Sequence, residues 1–308
     1  MMRAVRLHEY GKPPRIDEIP PPGPPAEGQL LLDVAAGGVG SWDLGVTSGR
    51  LARFVGWSLP YVIGAELAGR VAAVGPGVHG FAVGERGMGN PGIVGAWAEQ
   101  VMVDAAGCGH APTSLDDVNA AAVPVGALTA LQAVETLGLA ADASLLILGA
   151  GGSVGRAAIQ LASARGALVY AVVPHWASNR SATLGAANAV DQASDWDVRL
   201  QADVGAGVDA VLDLVGGATL ERSLALLRAG APVVTTLAES VELAREHGLT
   251  IDYLRMRATT ADLDAIASLV DAGDLTMPVG TVRALDEVPA ALEEVGDPRD
   301  KGKIVLRL

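Results

Sequence analysis

The chain has 308 residues, half of them apolar, which is enough for two sizeable hydrophobic cores. Its 22 Lys and Arg stand against 35 Asp and Glu, and the net charge of −13 opposes binding to nucleic acid or anionic lipid. A single cysteine, Cys108, excludes an internal disulfide and fits a reducing compartment. Residues 1–7 lack the apolar stretch of a signal peptide, so we expect a cytoplasmic protein.

The first hundred residues predict short β-strands separated by glycine and proline, at 3–7, 29–35, 69–74 and 96–103. The prolines of segment 20–25 predict an extended surface connection between the first two strands. This irregular pattern, with glycine at many turns, favours a compact barrel-like β domain.

From about residue 117, helices and strands alternate. The first helix, capped by Asp116 or Asp117, is predicted to run to about Leu137. It contains Pro124 and polar residues, so we expect a packed helix and no membrane span. The following elements are predicted in order as strand 144–148, helix 152–165, strand 167–173, helix 178–184, strand 189–191, helix 197–201, strand 208–214, helix 217–228, strand 231–236, helix 239–247, strand 249–255 and helix 261–272.

This alternation predicts an α/β fold with a doubly wound parallel sheet. Residues 277–308 return to β character and are expected to pack back on the amino-terminal domain. The predicted domains are therefore 1–120 together with 277–308, and 121–276.

The aliphatic run 144–148 ends in a glycine cluster and continues at helical spacing. In the register Ala150-x-Gly152-x-x-Gly155, alanine replaces the first glycine of a dinucleotide-binding fingerprint, and neighbouring glycines can still supply the turn. A glycine-rich turn without a ligand is the alternative, but the α/β context favours a pyrophosphate at the helix amino terminus. The residues predicted to contact it are Gly149, Ala150, Gly151, Gly152, Ser153, Val154 and Gly155.

The second predicted strand of the sheet ends without an acid. An NAD site usually carries one there for the ribose 2′-hydroxyl, but no Asp or Glu occurs from Arg156 to Val190. Arg180 follows the strand instead, and a guanidinium favours a 2′-phosphate. A solvated helix residue is the alternative role for Arg180. We predict NADP(H), with contacts from His175, Ser178, Asn179 and Arg180.

Several ordered blocks of the chain resemble the zinc-independent, zeta-crystallin-like quinone oxidoreductase branch of the medium-chain dehydrogenase/reductase superfamily. The blocks are LPYVIGAELAGRV at 59–71, VGPGV at 74–78, AAVPVGALTA at 121–130, VDAVLDLVGG at 208–217 and GKIVL at 302–306. The resemblance implies a GroES-like β-rich domain, a Rossmann domain and a cleft between them.

The resemblance also implies a set of contacts to the nicotinamide half of the cofactor. Thr129 would lie close to the nicotinamide, although a hydroxyl bonded to its own helix backbone is the alternative. Strand ends would contribute Val215, Gly216, Thr235, Thr236 and Leu237. A homodimer formed by edge strands is implied as well, with 233–236 and 249–255 as the candidates.

No zinc is expected. In zinc-dependent relatives, a Cys and a His lie where this chain has Gly40 and Ala65. Cys108 and His110 are expected in packing or turn roles. Glu66 is expected to pair with a cation or with backbone donors.

The chain departs from the quinone reductase pattern on the substrate side. An Asn and later Tyr residues are expected near positions 40, 45 and 51, and the chain has Gly40, Gly45 and Leu51. The remaining candidates to line a substrate are Ser41, Trp42, Asp43, Trp57 and Tyr61. Flat rings could sandwich a planar acceptor, whereas core packing of each Trp, and a helix cap formed by Ser41 with Asp43, are the alternatives.

We therefore expect a zinc-independent reductase that transfers hydride from NADPH to a quinone or another α,β-unsaturated carbonyl compound. An enoyl reductase or cyclisation catalyst for a specialised metabolite is the first alternative, because the usual Asn and Tyr are missing. A non-catalytic NADPH-binding redox sensor or structural protein is the second.

Overall fold

The computed structural model describes residues 1–296 and 302–308, and the chain divides into two compact units. Unit 1 comprises Met1–Leu128 with Arg257–Leu308, and unit 2 comprises Thr129–Met256. The sequence-based bounds assign helix 261–272 to the cofactor domain, whereas these bounds assign it to unit 1. Residues 297–301, within the predicted segment 277–308, lie outside the described residues.

Unit 1 is mainly β. Its strands are β1 (Met2–Leu7), β2 (Arg15–Ile19), β3 (Gln29–Val39), β4 (Tyr61–Val62), β5 (Glu66–Val74), β6 (Arg86–Gly89), β7 (Gln100–Asp104), β8 (Cys108–His110), β15 (Val279–Ala284) and β16 (Lys303–Arg307). They form a small sheet, β2-β1-β4, and a larger one, β15-β16-β3-β5-β6-β8, in which β7 pairs with β3. Its helices are α1 (Ser41–Thr47), α2 (Ala52–Val55), α3 (Asp117–Ala120), α10 (Thr260–Ala272) and α11 (Val288–Val295).

The end of the chain returns to the amino-terminal sheet, as the sequence predicts, because β16 pairs antiparallel with β3. The prediction of β character throughout 277–308 is wrong at α11. Val288, Ala291 and Leu292 are the buried face of this helix, and their spacing is the helical signal that the prediction missed.

The single helix predicted from 116 to 137 is two helices. Asp116 caps α3, accepting a hydrogen bond from Asn119 N at 2.8 Å, and α3 ends at Ala120. A second helix, α4 (Pro124–Leu137), then begins at a proline, which has no N–H to donate and is suited to a helix start.

Unit 2 is an α/β layer fold. It contains β9 (Ser144–Leu148), α5 (Ser153–Ala164), β10 (Leu168–Val173), α6 (Ser178–Thr183), β11 (Asn188–Asp191), α7 (Trp196–Val204), β12 (Ala210–Asp213), α8 (Gly217–Ser223), β13 (Val233–Thr235), α9 (Ala238–Glu246) and β14 (Ile251–Tyr253). The sheet order is β11-β10-β9-β12-β13-β14, and every pair is parallel. The predicted doubly wound sheet is confirmed.

The strand order fixes where this sheet can bind a ligand. The chain moves outward from β9 to β11 and then crosses to β12 on the other side of β9. Ligands of such sheets bind at the carboxyl ends of the strands beside this change of direction. Of the two candidate dimer strands, β14 lies at the edge and β13 is interior. None of the helices in the described parts of the chain is long and apolar enough to cross a membrane.

Candidate nucleotide site and a buried charge cluster

The turn after β9 has the backbone conformation that the glycine pattern predicts. Gly149 has a φ of +84°, and an added Cβ would lie 2.7 Å from Val215 Cγ1, so only glycine suits this position. Ala150 replaces the first fingerprint glycine without strain, because its φ is not positive. It is fully buried, and its N–H donates to the Val172 carbonyl at 3.0 Å.

Helix α5 lies directly against this turn. A Cβ at Gly155 would overlap the Ala150 backbone, so a side chain would push the helix away from the strand. Gly152, the N-cap residue, opens onto free space, since an added Cβ would meet only Gly149 O at 3.8 Å. Gly152 supplies no capping side chain, so the first N–H groups of α5, from Ser153 onward, are available to an anion. The glycine turn at residues 149–152 and the first N–H groups of α5 together form a cradle that fits a pyrophosphate.

The segment that follows β10 lies beside the glycine turn. A Cβ at Gly151 would be 3.0 Å from Pro174 Cδ and 3.4 Å from Ala177 Cβ. His175 projects from this segment with 90% of its side chain exposed. Helix α6 begins directly afterwards and carries the other predicted residues, Ser178, Asn179 and Arg180. The backbone segment that carries this predicted group therefore passes beside the glycine turn at Pro174 and Ala177.

Asp213, which the sequence analysis missed, organises the loops that carry the remaining predicted residues. It is fully buried at the end of β12. Its carboxylate accepts from the N–H groups of Val215 (3.2 Å) and Gly216 (2.8 Å) and from the hydroxyls of Thr235 (3.0 Å) and Ser240 (2.6 Å). A lone acid at the end of an apolar strand run is the sequence signal for this role.

Two further contacts complete the arrangement. Thr236 N–H donates to the Asp213 carbonyl at 3.3 Å, and Leu237 N–H donates to Thr235 Oγ1 at 3.1 Å. Asp213 therefore anchors the loops after β12 and β13, through its carboxylate and its carbonyl.

Thr129, predicted near the nicotinamide, is buried in α4.

We predict that Asp213→Ala lowers the free energy of unfolding by about 3–5 kcal/mol, because four donors lose their acceptor in a buried site. Urea denaturation of the purified variant tests this value. Glu246→Ala, which removes an exposed acid from the end of α9, is the matched control and should change stability by less than about 0.5 kcal/mol. A loss at Asp213 no larger than at Glu246 would contradict the role.

Unit 1 contains a buried cluster of three charged side chains, Asp43, Glu66 and Lys303. Lys303 Nζ pairs with Glu66 Oε1, and Glu66 Oε2 accepts from Val125 N–H at 2.8 Å. The predicted role of Glu66, pairing with a cation and a backbone donor, is confirmed. The cluster lies beside Gly40, where an added Cβ would be 3.0 Å from Lys303 Nζ.

Asp43 is the third member of this charge cluster. Its Oδ2 accepts from Gly40 N–H at 2.8 Å, so Gly40, and not Ser41, is the N-cap of α1. Within the described part of the chain, Asp43 Oδ1 is buried without a hydrogen-bond partner. Burial raises the pKa of Asp43 from 3.8 to about 7, against the opposing effect of Lys303.

The stability of the protein should therefore depend on the protonation of Asp43. Between its ordinary pKa of 3.8 and its raised pKa of about 7, the folded state binds more protons than the unfolded state. Stability from this group is fully present below pH 3.8 and is lost as the pH rises through about 7.

We predict that Asp43→Asn removes this loss. Relative to the variant, the wild-type protein should lose on the order of 4 kcal/mol of unfolding free energy between pH 4 and pH 7.5. Urea titrations at several pH values measure the difference, with Asp33→Asn, an exposed acid on β3, as the control. Parallel pH profiles for wild type and Asp43→Asn would refute the assignment.

The aromatic candidates form two separate pairs in unit 1. Trp42 packs against Phe54 with ring centroids 6.3 Å apart, and its indole N–H donates to Ile93 O at 2.9 Å. Trp57 meets Tyr61 edge to face at 6.2 Å, and 56% of Trp57 is exposed. Burial first, then the Tyr10 hydroxyl 3.4 Å away, raises the pKa of Tyr61 above its usual value.

The donor side chains of a zinc site are absent from the positions that bind zinc in relatives. Gly40 and Ala65 carry no donor atom, and no three His, Cys, Asp or Glu side chains are grouped as a metal site within residues 1–296 and 302–308. Burial, with a smaller effect of Asp264, raises the pKa of Cys108 to about 12, which disfavours the thiolate that zinc requires. His110 instead bonds Asp264 at 3.1 Å and stacks on Phe81. Gly40, Ala65, Cys108 and His110 therefore offer no zinc ligand set in the described part of the chain.

Two protein families match the chain. The alcohol dehydrogenase GroES-like domain family matches residues 26–113, and the zinc-binding dehydrogenase family matches residues 184–306. The first match lies in unit 1, and the second spans most of unit 2 and continues into the returning segment of unit 1.

Three known proteins illustrate the similarity. The quinone oxidoreductase from Coxiella burnetii superposes with a TM-score of 0.91 at 25% identity, covering 100% of this chain and 99% of its own. An NAD-dependent alcohol dehydrogenase of Sulfurisphaera tokodaii is 29% identical over 99% of both chains. A mycocerosic acid synthase-like polyketide synthase of Mycobacterium tuberculosis is 32% identical over 92% of this chain, which spans 14% of the synthase's length.

Proposed function

We propose that this chain is a zinc-independent oxidoreductase of the medium-chain dehydrogenase/reductase superfamily that reduces a quinone or another α,β-unsaturated carbonyl compound with NADPH. The superfamily binds a nicotinamide cofactor, and the cradle supports this most directly. Gly149 turns the chain, Gly155 brings α5 close, and Gly152 leaves open space at the helix amino terminus. These are the features that a pyrophosphate requires.

The proposed preference for NADPH over NADH rests on residues 174–180, which follow β10. Arg180 in α6 can pair bidentately with a 2′-phosphate, and Ser178 and Asn179 offer a hydroxyl and an amide as further donors. The strand end itself, Pro174 and His175, carries no acid that would repel the phosphate.

The bound cofactor would supply the hydride, and the protein would supply binding, orientation and exclusion of water. In this proposal the N–H groups at the start of α5 bind the pyrophosphate, while the loops fixed by Asp213 position the nicotinamide half through Val215, Gly216 and the segment Thr235, Thr236 and Leu237. Thr129 contributes a contact near the nicotinamide, as the family resemblance implies.

On the acceptor side, the pairs Trp42–Phe54 and Trp57–Tyr61 offer flat apolar surfaces to a planar compound. Reduced quinone oxygens can take protons from water, so this acceptor does not need a protein acid. Ser41 and Asp43 remain substrate-lining candidates in α1, although Asp43 Oδ2 is already engaged by Gly40 N–H.

We further propose a homodimer that forms through β14, because an edge strand offers unpaired backbone groups to a second copy. We also propose that the protein works in the cytoplasm, on a small-molecule substrate and without nucleic acid or membrane partners.

The polyketide synthase relative favours a second candidate. Its similarity covers 92% of this chain, so an enoyl reductase or cyclisation catalyst for a specialised metabolite fits the same fold. A non-catalytic NADPH-binding protein is the third candidate. It is consistent with Gly40, Gly45 and Leu51 at the positions of the usual acceptor-binding side chains.

We predict that Gly152→Asp weakens nucleotide binding at least tenfold and leaves the fold intact. The new side chain has room, and Asp is a favourable N-cap, but its charge would face the pyrophosphate. Calorimetry with NADPH should show at least a tenfold loss of affinity, at an unchanged or higher Tm. The control is Gly23→Asp, which adds the same charge in open space in unit 1. If Gly152→Asp binds NADPH as wild type does, the cradle does not hold the pyrophosphate.

We also predict NADPH oxidation with quinones. Trp57→Ala, at an exposed ring, should raise the KM for the quinone several-fold while the Kd for NADPH stays within twofold, as expected from loss of aromatic contact. Val83→Ala, another exposed apolar residue of unit 1, is the control. Spectrophotometric assays should compare quinones, enones and enoyl thioesters. Turnover of enoyl thioesters alone would favour the second candidate, and NADPH binding without any turnover would favour the third.

A further inference from the structure

An acid, Asp191, lies at the carboxyl edge of the unit 2 sheet, at the end of β11. Strand β11 is parallel to β10, and Asp191 is the register partner of Val173. Both residues end their strands, so Asp191 lies level with the point where β10 gives way to Pro174 and His175. The carboxyl ends of parallel strands share one edge of a sheet, which is the ligand-binding edge.

The Asp191 carboxylate is held in place toward His175. Its Oδ1 accepts from Ala193 N–H at 3.0 Å, within the turn that follows β11. Its Oδ2 lies 3.4 Å from His175 Nδ1. The Asp191 side chain is 26% exposed, and the imidazole beside it is almost fully exposed. One oxygen is therefore fixed by the local turn, and the other faces an imidazole at the surface.

We propose that Asp191 and His175 form a selectivity pair for the ribose 2′ position of the nucleotide. The inference rests on the proposed nucleotide site and deepens it. The Asp191 carboxylate accepts a hydrogen bond from a free 2′-hydroxyl and repels a 2′-phosphate, whereas His175, with Nδ1 3.4 Å from Oδ2, covers one side of that carboxylate. Arg180 acts in the opposite direction and attracts the phosphate. The protein consequently binds both NADPH and NADH, with a preference set by the balance among these three side chains.

The fold of the sheet explains why a search along the sequence does not find this acid. The usual acid lies at the end of the second strand of the sheet, about 20 residues after the glycine turn. Here that strand ends at Val173, before Pro174, and the acid comes from the end of the next strand, which pairs alongside it. Asp191 is close to the proposed ribose position because β11 pairs with β10, although it lies far from the glycine turn along the chain.

The test is the ratio of the Kd values for NADH and NADPH, measured by calorimetry on the full chain. Asp191→Asn should raise the preference for NADPH by on the order of fivefold, because a carboxylate no longer opposes the phosphate dianion. His175→Asn should lower it by about threefold, since the shorter side chain leaves Asp191 Oδ2 open toward the phosphate. Arg180→Ala should lower it as well.

Asp203→Asn is the matched control. It removes the same charge from unit 2, at a side chain that accepts from Asn188 at 2.6 Å, at the opposite end of β11. Its ratio should equal that of wild type. If wild type binds neither nucleotide, the proposed function and this inference both fail. If wild type binds but Asp191→Asn and Asp203→Asn give the same ratio, only this inference fails. Should Asp191→Asn not fold, an unchanged ratio in His175→Asn overturns the inference.

Discussion

The proposed nucleotide site of unit 2 depends on how closely helix α5 approaches the turn after β9. A Cβ at Gly155 would overlap the backbone of Ala150, so the helix lies against the strand end only because residue 155 has no side chain. That contact directs the amino terminus of α5, with its N–H groups, at the open space beside Gly152. A helix displaced by even a methyl group would aim these donors elsewhere, and the preformed anion site would be lost.

The same edge of the sheet carries a second fixed element. Asp213 holds the loops after β12 and β13 through four hydrogen bonds, while Gly149, whose Cβ position abuts Val215, joins the glycine turn to the first of these loops. A buried carboxylate with several donors is stable only while every donor keeps its place. The cradle and the loops therefore form one preorganised surface, and binding a nucleotide there requires little rearrangement.

The sequence predicted the fold closely where local pattern and sheet topology agree. The aliphatic run of β9 and the glycine turn set the first strand and α5, and alternation set the parallel sheet. It failed at α11, where a short helix with buried Val288, Ala291 and Leu292 was taken for β structure. It also missed the role of Asp213 in holding the loops and the proposed role of Asp191 at the ribose. Asp213 acts on Thr235, 22 residues away, and Asp191 lies beside Val173, 18 residues away. Local pattern cannot reveal which strands become neighbours.

The charge cluster of unit 1 bears on how a carbonyl acceptor can be activated. The family resemblance implies that zinc-dependent members carry a zinc ligand at the position of Gly40. Here the ammonium of Lys303 lies 3.0 Å from the position that a Cβ of residue 40 would occupy, paired with Glu66. The Lys303 ammonium offsets the charge of the Glu66 carboxylate, so the pair presents little net negative charge to a further cation. Glu66 already has a cation partner, and Asp43, with its raised pKa, has little negative charge to offer below neutral pH. The electrostatics of this cluster are therefore consistent with the proposed acceptor, a compound that is electrophilic without a metal, as a quinone is.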